Sequence, residues 1–337
     1  MNWIRYLVFG FVFLSFVKCV ENSGTEKQSG DEKVDSLELL TNEISLNPDD
    51  IDARKKRAEI FHKNHAFGAA LKDIDYALKI DSIREDFYLL KSTIEMDYFR
   101  SLEAIRTLRK AAEIHPASQQ VREQLGEFQL ILKQYSSAIK TAEEILEINP
   151  HSAKAYLIMG MAAREQQDTI AAMKYYNQAV NYNADLLDAW VEMARLEMKR
   201  NPLDAAPYFE SAIQIAPENI SLLHAYAMYW QNLDSLENAK NTYKKISEIQ
   251  SDYIESYYNH ALILMDQDSF AKAVSLWDEF LKFSETKEKG YYYRGISYEM
   301  MAQPERAYED YLNAKEENPE LPHIDEAIES VKAKIGE

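Results

Sequence analysis

No internal disulfide can form in this chain, because its 337 residues include one cysteine, Cys19. Glycine and proline number nine each, and the turn signals of β-hairpins are missing, which sets aside the all-β classes. Basic charge is the scarce sign. Thirty-eight Lys and Arg stand against 56 Asp and Glu, giving a formal net charge of −18. A nucleic-acid partner normally demands a basic stripe, since phosphate neutralisation supplies most of the affinity. Here the Lys and Arg are interspersed among a larger number of acids, so no nucleic acid and no bare anionic lipid surface is expected as a partner. The acid surplus reads first as solvation, and second as steering toward a basic protein. Chemistry-bearing motifs are also missing: there is no P-loop, no dinucleotide fingerprint and no HExxH. His62 and His65 flank a polar turn without the Cys, Asp or Glu spacing of a metal site. His224 and His260 have no nucleophile at recognisable spacing, and the abundant carboxylates are expected on solvated helix faces, where nothing shifts their pKa. The expectation is a non-enzymatic protein with no catalytic residue, no metal and no cofactor.

What the chain has is a repeating unit. Ala153 to Ala184 reads as two short amphipathic helices around Gln166, Gln167 and Asp168: Tyr156, Met159, Gly160 and Ala163 make one apolar face, and Ala172, Tyr176, Ala179 and Val180 the other. Ala172 belongs to a ruler of Ala70, Ala104, Ala138, Ala172, Ala205, Ala239, Ala273 and Ala307, in which every step is 34 residues except one of 33. A second ruler of small residues runs Ala58, Ser92, Gly126, Gly160, Ala194, Ala227, Ala261 and Gly295. A third marks helix-ending turns at Pro48, Ser82, Pro116, Pro150, Ala184, Pro217, Ser251, Glu285 and Pro319. The missing residue lies between Ala194 and Ala205, in the turn KRNPLD, where neither helix is disturbed. A unit of this size cannot bury its apolar face alone, so it predicts stacked neighbours.

A 34-residue helix-turn-helix unit with these small residues resembles the tetratricopeptide repeat family. The likeness is carried by the aromatic opening the first helix (Tyr156, Trp190, Tyr257, Tyr291), the small residue four later, and the second-helix Ala. An aromatic four beyond that Ala follows (Tyr176, Phe209, Tyr243, Trp277, Tyr311), then the terminal Pro. Arg54 and Arg122 replace the opening aromatic in two early repeats, and Ser92 replaces Gly or Ala. The resemblance implies an all-α, right-handed α-solenoid of about eight repeats over residues 49–321, with helical caps at 35–48 and 322–337.

The start of the chain is different. Tyr6 to Val17 is an apolar run of twelve residues after Arg5, short for a bilayer span of about 20 residues and suited to a signal-peptide core. With Cys19 at its end, residues 1–19 resemble a bacterial lipoprotein signal in which Cys19 is lipidated, although Lys18 stands where that signal has a small residue. An uncleaved N-terminal anchor and ordinary secretion are the alternatives. Residues 20–34, polar with Gly and Ser, read as a flexible tether. Export and membrane attachment in a bacterial envelope are therefore expected, on the periplasmic or surface side of the outer membrane.

In the family the first helices line an inner groove. Carried over by register, that lining is Leu157, Met161, Val191, Arg195, Met198, His224, Met228, Tyr258, Leu262, Met265, Tyr292 and Ile296. Methionine adapts to varied partners, and tyrosine adds apolar area with a polar tip, so the groove of repeats four to eight is expected to bind a partner protein segment. Two readings stand beside this adaptor or scaffold role: a carrier of an apolar small molecule or lipid, and an accessory subunit of a cell-wall enzyme.

Overall fold

The structure, a computed structural model, describes residues 29–336. Among the described residues the backbone forms eighteen α-helices and no strand. After α1 (Ser29–Leu46) come eight helical hairpins. They pair α2 (Ile51–Lys63) with α3 (Phe67–Ile80), α4 (Glu85–Asp97) with α5 (Ser101–Ile114), and α6 (Gln119–Ile131) with α7 (Tyr135–Ile148). Next are α8 (Ala153–Glu165) with α9 (Thr169–Tyr182), α10 (Leu187–Arg200) with α11 (Ala206–Ile215), and α12 (Ile220–Asn232) with α13 (Leu236–Ile249). The last pairs are α14 (Ile254–Asp266) with α15 (Phe270–Phe283) and α16 (Glu288–Met300) with α17 (Pro304–Glu317), followed by α18 (Ile324–Ile335). The chain divides into two compact units, one ending at Pro116 and the other beginning at Ala117.

The rulers mark where helices touch. All eight alanines of the first ruler are fully buried. The small residues of the second ruler are buried too, and at Gly160 an added Cβ would stand 2.5 Å from the Tyr176 ring. Second-helix aromatics fill the space so left: Tyr176, Phe209, Tyr243, Trp277 and Tyr311 are all buried. Each apolar cluster joins the helices of one repeat to the next first helix, as where Ala172, Tyr176 and Ala179 meet Ala189 and Met193. This is the nearest-neighbour core of a repeat array.

Turns explain the period. In seven hairpins the first helix ends on a residue with left-handed backbone, from His65 (φ 58°) through Gln167 (φ 65°) to Ala302 (φ 54°). The next N–H bonds back five residues, as Ala66 N–H to Phe61 O at 2.8 Å and Asp168 N–H to Ala163 O at 2.9 Å, satisfying a helix-end carbonyl. None of the seven is glycine. The fifth hairpin alone lacks the left-handed residue: α10 runs to Arg200, Asn201 is extended, and a 3-10 turn over Pro202–Asp204 leads into α11. The missing residue of the register is thus the left-handed one, and proline supplies the reversal instead.

Two differences from expectation have physical causes. Arg54 does not vacate the opening-aromatic position. Its Nε donates to Pro48 O at 2.8 Å, as Tyr88 Oη donates to Ser82 O at 2.8 Å, Trp190 Nε1 to Ala184 O at 2.7 Å and Tyr257 Oη to Ser251 O at 2.9 Å. The position needs a long side chain with a polar tip that reaches the preceding turn, and arginine meets that need. The second difference is at α1, which begins at Ser29, so residues 29–34 are helical where a tether was expected. That stretch contains no proline and no glycine beyond Gly30 to stop the helix running back from Ser36. Ile44 is the buried anchor of α1, and Ile324, Ile328 and Val331 bury the apolar stripe of α18. The signal residues 1–19, Cys19 included, and tether residues 20–28 lie outside the described residues. No helix among the described residues is long and apolar enough to cross a membrane.

Candidate functional site

The residues expected to line a groove all fall on first helices of the second unit, where three- and four-residue spacing brings them to one helix face. They are not equally open. Leu157 is closed off at 6% exposure among Tyr176, Val180 and Met193, so it packs the core and offers nothing to a ligand. Met161, Val191 and Met198 are half-buried against their own repeats. Tyr258, Leu262 and Met265 flank the Trp277 core, where Tyr258 meets Trp277 edge-on at 5.5 Å between centroids. Tyr292 and Ile296 lie over Tyr311, with Tyr292 5.9 Å from its ring. Met228 is the open one, 47% exposed.

Two groups give this face its polar character. His224 Nδ1 is 3.0 Å from Tyr253 Oη, and burial lowers its pKa against the pull of Glu255, so it is a neutral hydrogen-bonding group at pH 7. Arg195 holds Glu192 at 2.8 Å, and Arg164 of the preceding repeat grips the other oxygen of the same carboxylate. Beside them the buried Tyr176 hydroxyl has no hydrogen-bond partner among the described residues, and burial raises its pKa further than the charges around it do.

That cluster corrects one expectation. Several carboxylates are buried between helices: Glu192, Glu197, Asp73, Asp310 and Glu95. Asp73 accepts from both Arg54 (3.1 Å) and Arg57 (2.7 Å), Asp310 from Arg294 (2.7 Å), and Glu95 from Thr107 Oγ1 (2.7 Å). Glu197 is held by Arg200 at 2.8 Å. Glu95 and Asp310 have raised pKa values, burial being the main cause in each, with their hydrogen bonds opposing it. Composition hides these pairs because partners such as Arg57 and Asp73 lie sixteen residues apart on different helices. Once the hairpin register is known, that spacing marks them. Glu192, Asp73, Asp310 and Glu95 each accept from a donor on another helix, which makes them clasps between helices, while Glu197 is held within α10. His62 likewise bonds Asp97 at 2.7 Å, and no group of three or more metal-ligating side chains converges among the described residues.

These stacked helical hairpins of about 34 residues have the all-α tetratricopeptide fold. Residues 153–186 match the family model described as tetratricopeptide repeat, and the remaining hairpins repeat that unit in register. The chain is similar to Protein O-mannosyl-transferase Tmtc3 of Drosophila melanogaster, 24% identical over 135 residues, which are 39% of this chain and 14% of that protein. It is also similar to Protein O-mannosyl-transferase TMTC3 of Homo sapiens, 23% identical over 248 residues, 70% of this chain and 26% of that protein. The chain thus spans well under half the length of these relatives. Among solved structures, yeast Tom70 superposes with a TM-score of 0.57 at 18% identity, covering 85% of this chain and 62% of Tom70. The likeness to Tom70 is one of fold.

Proposed function

We propose that this chain is a non-enzymatic adaptor or assembly scaffold, docking an apolar or amphipathic segment of a protein partner on the first-helix face of repeats four to eight. The observation that carries this is the run of Met, Tyr and aliphatic side chains along α8 to α16, half-buried by their own repeats and open at Met228. Such a face contributes affinity through a few desolvated anchors, while surrounding charge sets orientation and encounter rate. The mannosyl-transferase named in the relatives spans a far longer chain than the matched repeats, and a protein-binding role accounts for the likeness without that activity. The apolar run Tyr6–Val17 and Cys19 support export and attachment to a bacterial envelope membrane, with the repeats held on the periplasmic or surface side. The test is affinity capture from detergent-solubilised envelopes with the full chain, beside the same chain carrying Met228→Glu and Leu262→Glu. A partner held by the first and lost by the second, with helicity unchanged, supports the reading; a partner held equally by both refutes this face as the site. A Cys19→Ser variant that stays in the membrane fraction would refute lipid attachment.

A further inference from the structure

A furrow in the first unit departs from the charge of the rest of the chain. Residues 51–116 hold thirteen Lys and Arg against eleven Asp and Glu, while residues 117–337 hold 21 against 36. Five of those cations line one furrow beside α3. Two adjoining depressions of about 470 and 340 Å³ share Asp75 and Lys79. The first is lined also by Lys72 and Arg100, the second by Lys91 and Lys110, so five cations surround one carboxylate. Lys91 neutralises that carboxylate, with Nζ 2.6 Å from Asp75. Elsewhere in the unit Arg54, Lys55, Arg57 and Arg84 are committed to carboxylates. By contrast, Lys72, Lys79, Arg100 and Lys110 form no ion pair among the described residues; Lys110 faces the Tyr88 ring at 5.8 Å and Arg100 the Tyr98 ring at 4.5 Å. Tyr76 and Tyr88 supply apolar wall, their hydroxyls already donated to Asp49 and to Ser82 O.

We infer that this furrow binds a short, extended, acidic segment of a protein partner. Four uncommitted cations spread over two adjoining depressions need negative charge at several points, which successive Asp or Glu side chains provide. The size of the furrow limits the ligand. A polyanion running beyond it enters the field of a chain with net charge −18, and at about 0.1 M salt attraction fades over roughly 10 Å. Two concave depressions also suit alternating side chains better than the flat plane of lipid headgroups. The site is separate from the first-helix face of repeats four to eight, and Met228→Glu leaves it untouched.

The test is fluorescence anisotropy of a labelled poly-glutamate decapeptide titrated with the full chain in non-ionic detergent. Parallel titrations use poly-lysine and oligothymidylate of equal charge, and phosphatidylglycerol vesicles are assayed by co-flotation with the chain after the detergent is removed. Lys79→Glu, which alters both depressions, and Lys110→Glu are each expected to weaken peptide binding about tenfold, and added salt to weaken it further. Lys174→Glu and Lys245→Glu, exposed in the other unit, should change it less than about twofold. Circular dichroism matching the parent confirms that each variant is folded. Equal loss in all four variants, no binding of the acidic peptide, or tighter binding of oligothymidylate or vesicles would each overturn the proposal.

Discussion

Adding one methyl group at Gly160 is expected to destabilise the array, although glycine inside a helix is ordinarily a weakness. Replacing a helical Gly by Ala gains about 1 kcal/mol in propensity. At Gly160 the new Cβ would stand 2.5 Å from both Cδ1 and Cε1 of Tyr176 and 3.1 Å from Cζ, ring atoms of a side chain with no exposed surface. A buried ring cannot bend away, so the helices must separate, at about 1–3 kcal/mol for overpacking of this kind. The net expectation for Gly160→Ala is a loss of about 0–2 kcal/mol in place of the gain that propensity alone would give, read from the midpoint of urea unfolding followed by helicity. Gly126→Ala is the control. Its Cβ would meet the terminal Cδ1 of Ile158 at 3.0 Å, a methyl that can rotate, so the change should fall within about 0.5 kcal/mol of neutral or stabilise. Repeat one shows the repair, for there Ala58 and Ile74 share one cluster, both fully buried. The double variant Gly160→Ala, Tyr176→Ile copies that combination and should recover about 1–2 kcal/mol relative to the sum of its single changes. A Gly160→Ala protein stabilised by the full propensity gain of about 1 kcal/mol, or a strictly additive double variant, would refute the close-packing account.

Three further outcomes are expected. Tyr176→Phe removes a buried hydroxyl that has no partner among the described residues and should stabilise by about 0.5–1.5 kcal/mol; a lower unfolding midpoint would show that the hydroxyl is satisfied after all. Ala302→Gly, at a left-handed helix end (φ 54°), should raise the midpoint by about 0.5–1 kcal/mol, and a loss there would mean the turn is not strained. His260 has its pKa lowered to about 4, by burial first and then by Lys240. The unfolded chain therefore takes up a proton near pH 6.5 that the folded chain refuses until about pH 4, so stability falls as pH drops through that window. Between pH 7 and pH 5 His260→Gln should lose about 1–2 kcal/mol less than the parent, and identical pH dependence of the two would sink the assignment.

The period was legible because helix contacts demand smallness. Ala172 and its counterparts are buried to the last, and a position that tolerates only a methyl group leaves the same letter in every copy. The lost residue was legible as a change of step, yet not as the loss of a left-handed residue, because His65, Phe99, Lys133 and Gln167 adopt that backbone without the glycine that would announce it. Residues 29–34 read as tether by polarity alone, yet with only Gly30 to oppose it the helix of α1 runs back to Ser29. Arg54 reads as a departure from pattern by chemical type and as a conforming residue by reach. Of the candidate face, register gave the helices but not the openness: Met161 and Met228 hold the same register position, and only the packing of neighbours half-buries one and bares the other. The basic furrow was illegible in principle, since Lys79 and Lys110 come together only when α3 and α5 do.

The confinement of each apolar cluster to one repeat and the helix that follows has a mechanical meaning. Under tension applied at its ends, such an array is expected to yield by shedding one hairpin at a time. Each release frees 34 residues, or 33 at the fifth repeat, and lengthens the chain by roughly 110–120 Å. Length released in nearly equal measures is the mechanical counterpart of a core divided among nearly equal repeats.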